Sequence, residues 1–449
     1  MLTGLSLKNF KTWENAELTF GKITGLFGTN SSGKSSLIQF LLMLKQTKDA
    51  TDRAVVLELN DQLVSLGTFR DVIFRHEEDR SLEWQVRFGF DDALSLVTPG
   101  ERSLVQVTSG QELSFSAEVG RRGKLGDAAT KRMEYSLGGV RFGLSEKDNG
   151  EGYQLHTEGG AFQFVRNPGR VWQLPGPVKS YAFPDQVRTY YQNASFLADI
   201  ERAFEDQFDH TYYLGPLREY PQRDYLWSRN RPTDVGKKGE KSVDAILAMT
   251  ASQEKRNVRY KSRLIPFQEI VAYWLKEIGV IHDFSVVEIA EGSNRWQAKV
   301  IARPGGAEAM LTDVGFGVSQ VLPVVTLLQY VPPGSTVILE QPEIHLHPLA
   351  QANLADAIIN AAVHRNVQVV LESHSEHLLL RLQRRIAEGE MDAEAVRLFF
   401  CSAKADRSQV EPLRLDLLGN IENWPENFMG DAFGETVAAE RARLTRKVK

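Results

Sequence analysis

The most constraining feature of the sequence is a glycine-rich loop near its start, Gly28-x4-Gly33-Lys34-Ser35. It follows the apolar run KITGLFG, typical of a buried strand, and precedes LIQFLLMLKQT, which has the length and apolar content of a helix. A plain turn has no need of Gly-Lys-Ser at a helix start, so we interpret the loop as a phosphate loop. Its backbone N–H groups would face phosphate, while Lys34 supplies positive charge and Ser35 a hydroxyl for magnesium.

A second motif, VILEQPEIHLHP (337–348), is an apolar run that ends at Glu340. A carboxylate at the end of a buried strand indicates a magnesium site beside a nucleotide, because ligands bind at the carboxyl ends of strands in doubly wound α/β sheets. The stretch NVQVVLESHSEHLLLRLQRRI repeats the order of strand, polar turn and helix. We therefore expect His374 at the same edge, within reach of the terminal phosphate.

A third glycine-rich stretch, DVGFGVSQVL, precedes the Glu340 strand. Gly315 and Gly317 lead into Ser319, Gln320 and an apolar helix. Two interpretations stay open: a helix start that faces phosphate, or a simple glycine turn that caps a core helix.

These motifs together resemble those of the SMC/RecF/OLD group of ABC-type ATPases. LKNFKTWENAELTFGKITGLFGTNSSGKSSL is similar to the start of such proteins, ILEQPEIHLHP to their Walker B strand and following loop, and ESHSEHLL to their histidine switch. DVGFGVSQVL resembles a degenerate signature loop. YYLGPLREYPQR and NWPENFMGDAFGE are similar to one branch, small bacterial AAA-type ATPases of phage-defence cassettes. The resemblance covers 1–50 and about 210–430, and implies an α/β fold: an ABC/SMC-type P-loop ATPase head with an inserted antiparallel β-rich lobe.

The resemblance also implies ATP and Mg2+ as ligands. Ser35 and Glu340 would hold the metal, Glu340 through water, and the catalytic set would be Glu340, Gln341, Glu343 and His374, with His374 as the switch. A second group would act in trans on ATP held by another subunit of a homodimer or higher homo-oligomer: Gly315, Gly317, Ser319 and Gln320. The predicted phosphate contacts are Gly28, Thr29, Asn30, Ser31, Ser32, Gly33, Lys34, Ser35 and Ser36.

Gln341 lies where this family often has its catalytic glutamate. An amide cannot accept a proton at neutral pH, and loss of an efficient general base typically costs ~10²–10⁴-fold in rate. Phosphoryl transfer depends mainly on positioning and charge, so we predict a slow ATPase, with Glu343 as another partner for the water. Pure ATP binding stays open. So does a metal-dependent nuclease that uses zinc or manganese held by histidines and nearby glutamates: His345, His347, His374, His377, Glu340, Glu343, Glu372 and Glu376.

Residues from about 55 to 210 alternate apolar and polar side chains around glycine turns, which predicts an antiparallel sheet. It is either an arm or docking surface, or a lobe that only completes the head. Two interpretations of the basic clusters stay open: they bind nucleic acid, as single-strand binders do where arginines alternate with aromatics, or they form salt-bridged surfaces. The clusters are Arg121-Arg122-Lys124, Arg218/Arg223/Arg229/Arg231 and Arg441 to Lys449.

The 449-residue chain is 42% hydrophobic and 25% charged, with a net charge of −5, which argues against a general nucleic-acid coat. Its single cysteine, Cys401, permits no internal disulfide, which fits a cytoplasmic protein. No uninterrupted apolar run approaches the ~20 residues that span a bilayer, so we expect no membrane contact. We find no TOPRIM module, and so expect a protein effector, a nuclease or toxin encoded nearby; a RecF-like DNA-binding or DNA-repair ATPase is the alternative. The predicted divisions are 1–50 and 211–430 (ATPase head), 51–210 (β-rich lobe) and 431–449 (basic tail).

Overall fold

The computed structural model describes residues 1–99, 104–122, 127–169, 173–259, 262–425, 428, 437–439 and 442–443. Its strands are β1 (Leu2–Phe10), β2 (Trp13–Thr19), β3 (Ile23–Gly28), β4 (Leu82–Pro99), β5 (Leu104–Arg122), β6 (Asp127–Leu137), β7 (Val140–Glu146), β8 (Tyr153–Glu158), β9 (Thr211–Leu214), β10 (Tyr225–Leu226), β11 (Lys255–Asn257), β12 (Leu264–Pro266), β13 (Asp283–Glu288), β14 (Arg295–Ile301), β15 (Glu308–Met310), β16 (Thr336–Glu340), β17 (Gln368–Glu372), β18 (Val396–Lys404) and β19 (Arg407–Leu413). Its helices are α1 (Lys34–Asp49), α2 (Phe69–Val72), α3 (Asp185–Tyr190), α4 (Leu197–Asp209), α5 (Ser242–Ala251), α6 (Phe267–Ile278), α7 (Phe316–Tyr330), α8 (Pro348–His364) and α9 (Glu376–Ala387).

The central sheet has six strands in the order β19-β18-β3-β17-β16-β9. All neighbours in it are parallel except β19, which runs antiparallel to β18. Every residue of β16 and β17 is buried, as their unbroken apolar runs predict for strands covered on both faces. Glu340 pairs in register with Glu372, and Glu372 with Leu26. The three strands that carry the predicted motifs therefore end at one edge of the sheet.

A second, antiparallel sheet has seven strands in the order β2-β1-β4-β5-β6-β7-β8. Helix α1 packs between it and the central sheet, with Phe40 of the helix 5.8 Å from Trp84 of β4, ring centre to ring centre. Strand β4 pairs directly with β1, Trp84 opposite Leu7. The β-rich segment thus shares its sheet and its core with the N-terminal strands, an arrangement that fits a lobe completing the head better than a separate arm.

The other face of the central sheet is covered by helices α5 to α9, which share one apolar core with Val337, Leu339 and Leu371. A small sheet, β10-β14-β13 with β15 beside β14, flanks this layer. That sheet was not predicted from the sequence. Helix α7 is buried along most of its length, which fixes the orientation of its N-terminal turn beside the edge where the motifs meet.

Some predicted features fall outside the described residues. Lys124 and most of the predicted tail, 431–449, are among them, although 437–439 and 442–443 are described and helical. The stretch NWPENFMGDAFGE is described only up to residue 425 and at 428. Across the part of the chain that is described, no helix is both long and apolar enough to cross a bilayer.

Candidate functional site

The glycine-rich loop connects β3 to α1 with the backbone conformation that a phosphate loop requires. Gly28 has φ 141° and Gly33 has φ 88°, in a region that residues with a Cβ rarely occupy. A Cβ on Gly28 would overlap the carbonyl of Cys401, and one on Gly33 would lie 2.6 Å from the Ser408 hydroxyl. Both glycines are therefore required for the loop to pass so close to β18 and β19, and its shape is set by the sheet packing.

Lys34, the first residue of α1, points back across the loop. Its ammonium donates to the carbonyl oxygens of Gly28 (3.1 Å) and Thr29 (2.8 Å), and the side chain is 3% exposed. Burial lowers the pKa of Lys34, while the nearby charge of Glu372 acts in the opposite direction. This geometry holds one positive charge at a fixed place beside the helix N-terminus.

A cavity of about 460 Å³ opens over this loop. It brings together part of the loop, Gln341 and His374, as the motif positions predicted. Glu372 and Thr12 also line it, and neither was predicted as a nucleotide-site residue. The full lining is Thr12, Asn30, Ser31, Ser32, Gly33, Lys34, Ser35, Ser36, Gln341, Glu372 and His374.

Glu372 is the carboxylate closest to the loop. Its Oε2 accepts a 2.8 Å hydrogen bond from the Ser35 hydroxyl, and its Oε1 lies 4.0 Å from the Lys34 ammonium. Burial raises the pKa of Glu372, whereas Ser35 and Lys34 act to lower it. The sequence signal for this residue is the same one that identified Glu340, a carboxylate at the end of a buried strand.

Glu340, the predicted magnesium residue, lies one strand further away and is not among the lining residues. Its Oε1 accepts from the Tyr213 hydroxyl at 2.7 Å. Burial raises the pKa of Glu340 to about 7, the Tyr213 hydroxyl acts to lower it, and the charge of Glu372 raises it. The Ser35 hydroxyl thus contacts Glu372 and not Glu340, because β17 lies between β3 and β16.

The residues of this edge fit a magnesium–nucleotide complex. The Ser35 hydroxyl and the carboxylates of Glu372 and Glu340 offer only oxygen donors, which Mg2+ prefers, and two neighbouring buried carboxylates are stabilised by a cation. Magnesium is usually bound by one or two carboxylates together with phosphate and water, so no larger protein cage is required. Among the described residues, no three His, Cys, Asp or Glu side chains form a group placed to hold a metal.

Gln341 reaches the cavity from a constrained backbone. It has φ 45°, and its N–H donates to the carbonyl oxygen of Glu372 at 2.8 Å. The buried guanidinium of Arg218 donates to the carbonyl oxygens of Glu340 (2.9 Å) and Gln341 (3.0 Å). Burial lowers the pKa of Arg218 to about 10. Hydrogen bonds from Arg218 and to Glu372 therefore fix the backbone at the end of β16, and this backbone places the Gln341 side chain at the cavity.

These contacts revise the interpretation of the arginine cluster. Arg218 is 6% exposed and is engaged by backbone carbonyls, so it is not part of a surface that binds nucleic acid. Arg223 pairs with Asp313 at 2.8 Å. Of the other cluster, Arg121 pairs with Glu78 and Arg122 with Glu146. Arg223, Arg121 and Arg122 thus favour the salt-bridged alternative, whereas Arg231 lies over the Tyr330 ring.

Glu343 lies beneath the loop that carries Ser373 and His374 and does not line the cavity. Its Oε1 accepts from the Ser373 hydroxyl (2.8 Å) and from the backbone N–H of His374 (2.9 Å), and the side chain is 5% exposed. Burial raises the pKa of Glu343. In this position Glu343 contacts the His374 backbone instead of facing the cavity, where a contact with the attacking water was expected. The His374 side chain lies at the cavity wall, where partial desolvation and the Lys34 charge lower its pKa.

The glycine-rich stretch before β16 differs from its prediction. Helix α7 begins at Phe316, which turns Ser319 and Gln320 into the interior, where they are 6% and 2% exposed. The Ser319 hydroxyl donates to the carbonyl oxygen of Phe316. Neither side chain can contact a nucleotide from this position, so the trans role predicted for these two is wrong in this conformation. Gly315 remains exposed and Gly317 half-buried at the helix start.

The histidines of the proposed metal nuclease have other contacts. His345 packs edge-on against Phe316, 4.9 Å between ring centres. The Nδ1 of His347 accepts from the backbone N–H of Leu349 at the start of α8. Together with the missing metal-binding group in the described residues, these contacts leave the nuclease interpretation without structural support.

Parallel strands bring a phosphate-loop motif, a strand-end carboxylate and His374 to one cavity, an arrangement typical of P-loop nucleotide-binding folds. The chain belongs to the family described as "AAA domain, putative AbiEii toxin, Type IV TA system", whose model matches residues 156–381, half of the chain. Residues 1–116 match "AAA ATPase domain", and 391–438 match "Protein of unknown function (DUF3696)".

Similar solved structures include the SMC head domain from Thermotoga maritima, 12% identical with a TM-score of 0.43, covering 92% of this chain and 99% of that one. Another is an Smc head domain with an extended coiled coil bound to the C-terminal domain of ScpA, derived from Pyrococcus furiosus. It is 12% identical with a TM-score of 0.44, covering 92% and 96%. No curated protein matches the sequence.

Proposed function

We propose that this chain is a cytoplasmic, slowly hydrolysing ATPase whose nucleotide state controls its assembly and its binding to a partner effector. The observation that supports this most directly is the cavity, where the Lys34 ammonium, the Ser35 hydroxyl and the His374 imidazole converge over the N-terminus of α1. The ammonium and the imidazole suit the phosphates of a nucleotide, and the hydroxyl oxygen suits magnesium bound to those phosphates. When bound, magnesium neutralises phosphate charge. The test is ATP binding and turnover by purified protein, together with the Lys34 variants described in the Discussion.

Slow turnover is proposed because an amide lies where a base is expected. Gln341 lines the cavity, and an amide can orient a water molecule but cannot take its proton. Two groups at the cavity can accept protons, Glu372 and His374, but Glu372 is engaged by Ser35. The cavity therefore has groups that can position the phosphates and a water molecule, but residue 341 is not an efficient general base.

A shared site between two heads is supported by the start of α7. Gly315 and Phe316 are exposed, and Phe316 packs against Tyr220, 5.1 Å between ring centres, to form a raised aromatic edge. A helix N-terminus carries partial positive charge that favours phosphate. We propose that this edge covers nucleotide held by a second copy, and that backbone groups rather than the Ser319 and Gln320 side chains make the contact.

Mixing two inactive variants should restore part of the activity. Lys34→Ala removes the phosphate contact; Gly315→Arg adds bulk at the proposed trans surface. Gly315 has φ −55° and open space around it, so arginine fits there without strain in its own chain. A Gly317 variant is less suitable, since its Cβ would lie 3.1 Å from the His345 carbonyl.

Each variant alone should be nearly inactive, whereas an equal mixture should recover about one quarter of wild-type ATP turnover, because half of the random dimers carry one intact composite site. Sedimentation with ATP and magnesium checks that dimers form. No recovery at any mixing ratio, with dimers present, would count against a shared site.

The family description, with its AbiEii toxin of a Type IV TA system, supports a role in bacterial defence with a nearby-encoded partner. We expect the purified chain alone to leave DNA and RNA intact in magnesium, manganese or ATP. Gel assays with single- and double-stranded substrates check this. Nuclease activity that is lost in His345→Ala or His347→Ala and kept in Lys34→Ala would contradict the proposal in favour of a metal-dependent nuclease.

A further inference from the structure

Glu372 is hydrogen-bonded to Ser35 and lies beside Lys34, the two side chains that contact the ligand in a phosphate loop. Lys34 contacts the outer phosphates in such loops and Ser35 the magnesium ion. Here the Ser35 hydroxyl donates to Glu372 Oε2 at 2.8 Å, and the Lys34 ammonium is 4.0 Å from Glu372 Oε1. The carboxylate is 3% exposed and forms part of the cavity wall.

Glu372 has ionisable neighbours of both signs. Glu340 pairs in register with it on the adjacent strand, and alternation along parallel strands directs both side chains to the face of the sheet that carries α1. Lys34 is the positive side chain within ion-pair distance of Glu372 among the described residues. The Arg218 guanidinium is turned to the backbone carbonyls of Glu340 and Gln341.

A triphosphate without metal would bring several negative charges to this carboxylate, and would compete with it for Lys34 and Ser35. A divalent cation reverses the interaction, since a carboxylate next to the Ser35 hydroxyl is then an oxygen partner for the metal or for its bound water. The same side chain thus opposes metal-free nucleotide and favours the metal complex.

We propose that Glu372 makes nucleotide binding conditional on a divalent cation, so that the cavity selects magnesium–ATP over metal-free ATP. This inference rests on the proposed function, because it concerns the same cavity. Glu372, at the end of β17, would thus determine the specificity of the cavity for the metal complex, although it belongs neither to the phosphate loop nor to β16.

The test is the metal dependence of binding, measured by calorimetry with the non-hydrolysable analogue AMP-PNP. The decisive quantity is the ratio of the Kd in EDTA to the Kd in magnesium chloride. Glu372→Gln keeps an oxygen acceptor for Ser35 but removes the charge, so it should strengthen metal-free binding and weaken magnesium-dependent binding. We expect the ratio to fall at least about tenfold, a lower bound on the effect of removing one buried unit charge close to the phosphates.

Two further variants make the result specific. Glu372→Asp retains the charge and should recover at least part of the wild-type ratio. Glu376→Gln makes the same chemical change on an exposed residue at the start of α9 and should leave the ratio unchanged. Glu372→Ala provides a second neutral variant, and thermal unfolding of each protein verifies that it is folded.

The outcomes separate this inference from the proposed function. If the wild-type chain does not bind AMP-PNP in magnesium, the proposed function is overturned and the inference with it. If the wild type binds and the neutral variants keep its ratio, only the inference fails, even when both Kd values change, since an equal change indicates a structural role. A ratio that falls equally in Glu376→Gln would indicate a general charge effect and would also overturn it.

Discussion

Replacing Lys34 by alanine should reduce ATP affinity at least about 100-fold. Hydrogen bonds to charged groups are worth roughly 1.5–3 kcal/mol each, and the Lys34 ammonium can contact more than one phosphate oxygen. The structure adds a second reason, because Glu372 lies 4.0 Å from this ammonium. Without Lys34, no other described cationic side chain lies within ion-pair distance of this buried carboxylate, so magnesium alone would offset its charge beside the phosphates. Binding is measured by calorimetry with AMP-PNP and magnesium.

Two controls separate charge from structure in this experiment. The Lys34 ammonium also bonds the carbonyl oxygens of Gly28 and Thr29, so its removal can loosen the loop. Lys34→Met keeps most of the side-chain packing and should lose affinity to a similar degree. Lys404→Ala removes a lysine from an exposed site and should bind normally. Affinity within twofold of wild type in Lys34→Ala would contradict the phosphate-loop assignment.

The elements that the sequence predicts well are those with local signals. The loop from Gly28 to Ser36 has its glycines, its lysine and its flanking strand and helix within a short stretch, and the structure places it as expected. The strands that end at Glu340 and Glu372 are equally clear, because an unbroken β-branched run predicts a strand buried on both faces.

The strand order could not be predicted, and it decides which carboxylate meets the loop. Glu372 and Glu340 have the same local signal, a carboxylate at a strand end, yet β17 lies beside β3 and β16 does not. The burial of Arg218 could not be predicted for the same reason, since its contacts with Glu340 and Gln341 span more than 120 residues of sequence. Such contacts depend on packing between distant segments and leave no local pattern.

Helix α7 shows that the exact start of a helix is also hard to predict from sequence. The glycines at 315 and 317 predicted a loop that continues to Ser319, but the helix already begins at Phe316. A shift of three residues at a helix start is nearly one turn, which decides whether a side chain faces solvent or core. Ser319 and Gln320 therefore face the interior rather than a partner subunit.

Gln341→Glu should raise kcat for ATP at least about tenfold, because a carboxylate can accept the proton of the attacking water and an amide cannot. Glutamate has the same shape, so the φ of 45° and the Arg218 contact to the residue 341 carbonyl should persist. Gln341→Ala should turn over more slowly than wild type if the amide orients the water. Steady-state assays give kcat, and AMP-PNP binding shows whether the nucleotide site is otherwise unchanged.

A new carboxylate at residue 341 has a second effect that makes the experiment more informative. It would add a further acid at this edge, beside Glu340 and Glu372, and like charges raise one another's pKa. A base with a raised pKa is a stronger proton acceptor, so the gain in kcat should grow as pH rises through that pKa, and metal-free nucleotide should bind less well. Equal kcat in wild type and both variants would exclude residue 341 from water activation. That result would direct attention to His374, whose lowered pKa leaves its imidazole neutral and able to accept a proton at the cavity.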